Sequence, residues 1–143
     1  MFGSFLLATY NSEMECFETL CKTSTGLSDS DLEKYHKLFS EHLIKEPLPE
    51  YRISKQQEAD VWFEPCCVWE VRGADIQISP IYTTAIGEFD ANKGIGLRFP
   101  RLMRERTDKK PTDATDSSMI AGIYKSQAAV QNDINFADDD DFY

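Results

Sequence analysis

The chain is short of positive charge, nearly without histidine, and lacks any long apolar run. No stretch approaches the roughly 20 apolar residues that cross a bilayer. "FLLA" at positions 5–8, with no base before it, is too short for a secretory leader. A soluble, intracellular protein with no membrane partner is therefore expected. His36 and His42 are the two histidines, and their separation of six is not a metal-ligand spacing. The four cysteines form no C-x-x-C pair, and adjacent Cys66 and Cys67 would point to opposite faces of any strand. Reduced, packed thiols and no metal site follow.

What is present suits one domain. The 143 residues are 41% hydrophobic and 12% aromatic, enough for a single core. Acids outnumber bases 25 to 15, for a net charge of −10. Residues 96–111 depart from this balance: six bases (Arg98, Arg101, Arg104, Arg106, Lys109, Lys110) against Glu105 and Asp108 make the stretch +4 and the remainder −14.

Apolar periodicity orders the rest. "SFLLATYN" and "ECFETLCKTS" read as two strands joined by a hairpin-length turn. Ser28, followed by Asp29 and Asp31, is placed to cap a helix, in which Leu32, Tyr35, Leu38, Phe39 and Leu43 recur at helical spacing. Pro47 and Pro49 bar its continuation. Residues 60–83 are strand-like, with a bulge or bend expected at Gly73. One further strand is expected to reach about Arg106. A last helix is expected from Asp116 to about Gln131, with Met119, Ile120, Ile123 and Tyr124 on its apolar stripe. Residues 133–143 form an acidic end expected to be a disordered tail. Strands, one inserted helix, more strands and a final helix make a mainly β fold in the order of a small OB barrel.

If residues 97–106 were one strand, Arg98, Pro100, Leu102, Arg104 and Arg106 would share a face, with Arg104 and Arg106 about 7 Å apart. Such spacing suits successive phosphates, which arginine forks grip. The plainer reading is a charged strand edge that discourages edge-to-edge pairing, with Phe99 in the core.

Sequence resemblance bears on that choice. "VWEVRGADIQISPIY", "GEFDANKGIGLRFPRLMRERTDKKPTDAT" and "AGIYKSQ", preceded in order by "GSFLLATYN", "CKTSTGLSD" and "EKYHKLF", resemble the C-terminal end of eukaryotic ATP-dependent DNA ligases of the DNA ligase I type. The resemblance implies an OB-fold domain over residues 1–132, lacking its first strand. It implies an enzyme that seals nicks in double-stranded DNA through lysyl-AMP and DNA-adenylate, with ATP and Mg as cofactors bound mainly by a nucleotidyltransferase domain. It also implies a nuclear location and a setting of DNA replication, repair and recombination, with proteins of those processes as further partners. The last nucleotidyltransferase motif, usually numbered VI, falls on Arg104, Arg106, Asp108 and Lys109; its cations are implied to act on the β and γ phosphates of ATP, with Asp108 orienting Arg106 or Lys109. The family's Arg-Phe pair falls on Arg98 and Phe99, with Arg101 beside them, implied to bind DNA in the minor groove at the nick.

Departures accompany the match. Gly96 stands where the family has serine, Arg72 where it has lysine, Leu102-Met103 where it has Phe-Ile, and Ser24 replaces a glycine. The K-x-D-G lysine motif occurs nowhere in the chain, nor do the core's metal-binding carboxylates or its "EG…K" motif. The chain therefore reads as the distal part of a ligase, inactive alone for want of the nucleophile and with an exposed barrel edge. The alternative is a non-catalytic OB module that binds nucleic acid or protein.

Overall fold

The computed structural model describes residues 2–57 and 59–140, with side-chain detail to Val130. The expected first hairpin is present: β1 (Phe5–Asn11) pairs antiparallel with β2 (Cys16–Thr23). A register shift opposite Leu7 and Ala8 leaves Leu20 unpaired, so β2 does not alternate strictly. A short β4 (Tyr51–Arg52) adds parallel to the other side of β2.

Helix α1 (Asp29–Ser40) starts where the sequence indicates. The Ser28 side chain accepts from Asp31 N–H, and Asp31 accepts from Ser28 N–H, satisfying two orphan donors at once. Tyr35 and Phe39 are its buried residues. It ends before Leu43, contrary to the expected stripe, because the N–H groups of Glu41 and His42 bond back to Leu38 and Phe39 and tighten the last turn. Leu43 instead opens β3 (Leu43–Ile44), which pairs with β5 (Trp62–Phe63).

The bend at Gly73 separates β6 (Trp69–Arg72) from β7 (Asp75–Ser79). A Cβ at this position would overlap the Leu97 side chain, which explains the glycine. The single strand expected over residues 97–106 is two: β8 (Gly94–Arg98), paired with β7, and β9 (Arg101–Glu105), paired with β6. Phe99 breaks the run with a left-handed φ of 54°, and Pro100 has no N–H to offer a ladder. A second register shift, opposite Glu70 and Val71, leaves Met103 unpaired. The five residues expected on one face are thus dispersed: Leu102 is buried while Arg98 and Arg104 are exposed.

Irregular backbone joins these ladders. Thr19 C=O accepts from the N–H groups of Thr83 and Thr84, and Thr84 C=O accepts from Ile95 N–H in β8. On the other side, Thr25 C=O accepts from Leu102 N–H in β9 at 2.9 Å. Two apolar clusters result. One gathers Ile76, Ala85, Ile95, Ile120 and Ala121; the other gathers Phe5, Tyr35, Phe39 and Leu102, with Trp69 packed against it.

Helix α2 (Ser117–Asp140) runs beyond the expected end near Gln131, over most of the stretch expected as a tail; residues 141–143 lie outside the described residues. Ile120 and Tyr124 of the expected stripe meet the core, whereas Met119 and Ile123 are exposed. The Gln127 side chain bonds to both backbone groups of Ile76, at 2.9 and 2.8 Å, and so completes part of β7's outer edge as a strand would.

The fold is mainly β with two helices, and among the described residues its strands do not close into a barrel. Among the described residues β1 has β2 as its one strand neighbour; at the far end Tyr10 N–H reaches Thr115 C=O. A largely apolar cavity of about 1030 Å³ lies between β1 and the β6–β7 segment.

Candidate functional site

The basic stretch occupies two places in the fold. Arg98 ends β8 directly opposite Asp75 of β7, and the two side chains form a bidentate pair, Nε–Oδ1 2.5 Å and Nη2–Oδ2 2.8 Å. Opposite charges at facing positions of an antiparallel ladder favour that register. The pairing lowers the Asp75 carboxyl below its ordinary value and raises Arg98, in each case chiefly through the shared hydrogen bonds.

Phe99 follows, 74% exposed, with the Arg98 guanidinium 5.2 Å from its ring centre. Its left-handed backbone costs a residue with a Cβ roughly 1–2 kcal/mol, and burial returns almost nothing. The expectation of a core Phe99 under the plainer reading is therefore overturned. A large aromatic on a strained turn beside a cation is a preformed projection. Arg101, exposed at the start of β9, lies just across Pro100, whose carbonyl accepts from the Thr23 hydroxyl at 3.0 Å.

The second place is built on β6 and β9. Arg104 faces Glu70 across the ladder, donating at 3.2 and 3.4 Å. Arg106 reaches the same carboxylate at 3.7 Å and forms a bidentate pair with Asp108, at 2.9 and 2.8 Å. Arg106 N–H is fixed by Val68 C=O at 2.7 Å, and Lys109 N–H by Arg106 C=O at 3.2 Å. The Arg106 fork holds the Asp108 carboxyl down at about 2. Behind this group, Glu105 accepts from Tyr35 hydroxyl at 2.8 Å and pairs with Lys34 at 3.5 Å, tying β9 to α1. Among the described residues, Arg101 and Lys109 have no ion-pair partner.

Arg104, Arg106, Asp108 and Lys109 thus come together around Glu70 and the turn after β9. Arg98, Phe99 and Arg101 gather at the β8–β9 break. Glu70 and Asp75 were not foreseen as members of either group. Their signal is cross-strand register, which the local pattern of charges does not carry.

Residues 1–109 match the family model described as ATP dependent DNA ligase C terminal region. The chain is 46% identical to DNA ligase 1 of Dictyostelium discoideum over 141 residues, 97% of this chain and 12% of that protein. It is 46% identical to DNA ligase 1 of Arabidopsis thaliana over 127 residues, 89% of this chain and 16% of that protein. With DNA ligase 1 of Saccharomyces cerevisiae the identity is 43% over 131 residues, 92% of this chain and 17% of that protein. The chain therefore spans less than a fifth of the length of these curated relatives.

Proposed function

The chain belongs to the ATP-dependent DNA ligases, as a C-terminal region of that family, and on that premise we propose that it serves two separate steps of nick sealing. In the first step a lysine on a nucleotidyltransferase core attacks ATP and pyrophosphate leaves. Arg104, Arg106 and Lys109 supply positive charge to the departing phosphates, and Asp108 holds the Arg106 fork in a fixed plane. Preorganised cations stabilise charge that develops in the transition state. In the later steps Arg98 and Arg101 hold the backbone phosphates of nicked double-stranded DNA, and Phe99 is the apolar wedge in the minor groove.

The observation that carries this reading is the division of one basic stretch between two places. Arg104 and Arg106 converge on Glu70, whereas Phe99 projects from the β8–β9 break beside Arg98. The carboxylates now on the forks do not oppose it. Exposed pairs of this kind are screened by solvent and hold weakly, and a phosphate brings more charge to the same geometry. Mg²⁺ and ATP are assigned mainly to the nucleotidyltransferase core. The irregular sheet is read as an OB barrel in which a further strand fills the place beside β1. On this reading the chain alone has no ligase activity, and the enzyme works in the nucleus.

The test is a chimera in which this chain replaces the matching region of the Arabidopsis relative. Arg106→Glu or Lys109→Glu is expected to lower the rate of lysyl-AMP formation at least about 10-fold, a loss of about 1.4 kcal/mol of transition-state stabilisation. Lysyl-AMP formation at the unaltered chimera's rate would remove the phosphate role from these residues.

A further inference from the structure

Three facing pairs in the β6–β9 and β7–β8 ladders join two charged residues: Asp75 with Arg98, Glu70 with Arg104, and Arg72 with Arg101. The first two unite opposite charges, and each closes into an ion pair. The third sets two arginines against each other. Residues directly opposite in an antiparallel ladder hold their Cβ atoms about 4.5–5.5 Å apart, and like charges there destabilise the pairing. Both arginines are exposed, and among the described residues neither has an ion-pair partner. The carboxylates that flank them in the ladders are already held, Glu70 by Arg104 and Arg106, and Asp75 by Arg98.

We propose that Arg72 and Arg101 form a two-arginine grip on one backbone phosphate of nicked DNA, which makes Arg72 a DNA-binding residue of this chain. The grip rests on the proposed meeting of the β8–β9 break with the duplex, and it adds a residue from another strand. A phosphate between the two guanidinium groups replaces their repulsion with charge-assisted hydrogen bonds. Each fork offers it a flat set of donors.

Arg72 ends β6 and Arg101 begins β9, so their pair is the last rung of that ladder before Gly73 on one strand and Pro100 on the other. Along the ribbon, Arg98 precedes Phe99 and the Arg72–Arg101 rung follows it, so cations flank the exposed ring on both sides. The Arg101 backbone is fixed at each end. Pro100 C=O accepts from the Thr23 hydroxyl at 3.0 Å, and Leu102 N–H donates to Thr25 C=O at 2.9 Å. The Arg101 stem runs beside Gly26, where an added Cβ would come within 3.1 Å of the Arg101 Cγ. A cation on so constrained a backbone gives up less freedom when a phosphate arrives.

The experiment measures the Kd of the Arabidopsis chimera for a nicked duplex with a 5′-adenylate and a dideoxy 3′ end, which blocks sealing, over a range of KCl concentrations. Arg72→Gln and Arg101→Gln are each expected to raise Kd about 10-fold, and the double variant is expected to lose less than the product of the two. The slope of log K against log salt is expected to fall by about 0.9 in the double variant, as for one phosphate. The 143-residue chain with Arg72→Gln is expected to melt at or above the unaltered midpoint, because a facing like charge has gone. Unaltered affinity in Arg72→Gln, with Phe99→Ala still slow to seal, would overturn the grip and leave the wedge standing. Unaltered behaviour of both variants would remove grip and wedge together. Three further results would also overturn the grip. Independent losses with a slope change of about 1.8 would mean two separate phosphates. Slower lysyl-AMP formation at unaltered DNA affinity would give the pair to the phosphates of ATP. A lower melting midpoint would make Arg72 a support of the ladder.

Discussion

Phe99 is held at a φ of 54° with three quarters of its surface in solvent, so neither its backbone nor its burial favours the residue that stands there. Glycine would relieve the left-handed penalty of about 1–2 kcal/mol at the expense of a larger entropy loss on folding. Phe99→Gly is therefore expected to stabilise the chain by roughly 0.5–1 kcal/mol, read as a rise in the midpoint of thermal unfolding. A fall would mean that the ring supports the fold and is not a projection. Around it, what the sequence showed depended on distance along the chain. Arg106 and Asp108 are two residues apart, and their fork follows from the "RERTDKK" pattern. Glu70 and Asp75 meet Arg104 and Arg98 across 34 and 23 residues, through a strand register that no local pattern encodes.

Among elements, the largest difference from expectation is the break between β8 and β9. Extended spacing put five side chains on one face, but a left-handed residue, a proline and an unpaired Met103 each reset the alternation. Helix α1 and the first hairpin were legible because cap, apolar spacing and turn agree locally. The loop after β2 sets where β9 begins: Thr25 C=O holds Leu102, and Gly26 adopts a φ of 93° beside it. A Cβ on Gly26 would overlap the Leu102 carbonyl oxygen, so Gly26→Ala is expected to destabilise by about 2 kcal/mol or more in denaturant titration. At the start of α2, Asp116 accepts from the Ser12 N–H and hydroxyl and from Ser118 N–H, with the Ser12 hydroxyl bond the chief reason its carboxyl is held at about 2. The folded value lies below the unfolded value of about 3.9, so this anchor is fully present above that pH and is lost as pH falls through about 2. The melting difference between the unaltered chain and Asp116→Asn is expected to shrink between about pH 5 and pH 2. A constant difference would mean that the carboxylate charge is not what ties α2 to β1.

At the scale of the molecule, a chain of net charge −10 gathers six of its 15 Lys and Arg in one stretch, and the fold divides that stretch between two ladders. Among the described residues the strands do not close, and an apolar cavity lies beside β1. The mainly β make-up with its two helices was legible from the succession of elements, whereas the linkage of β2 to β8 through Thr83 and Thr84 was not, since it uses backbone outside any strand. The central claim is that the two halves of the stretch serve different steps. It is tested most directly by single-turnover kinetics on the chimera, comparing Phe99→Ala with Arg106→Glu for lysyl-AMP formation and for sealing of a pre-adenylylated nick. The account predicts a crossed pattern: Phe99→Ala forms lysyl-AMP at the normal rate and seals slowly, while Arg106→Glu fails to form lysyl-AMP and seals the pre-adenylylated nick near the normal rate. Equal losses in both steps for both variants would contradict it.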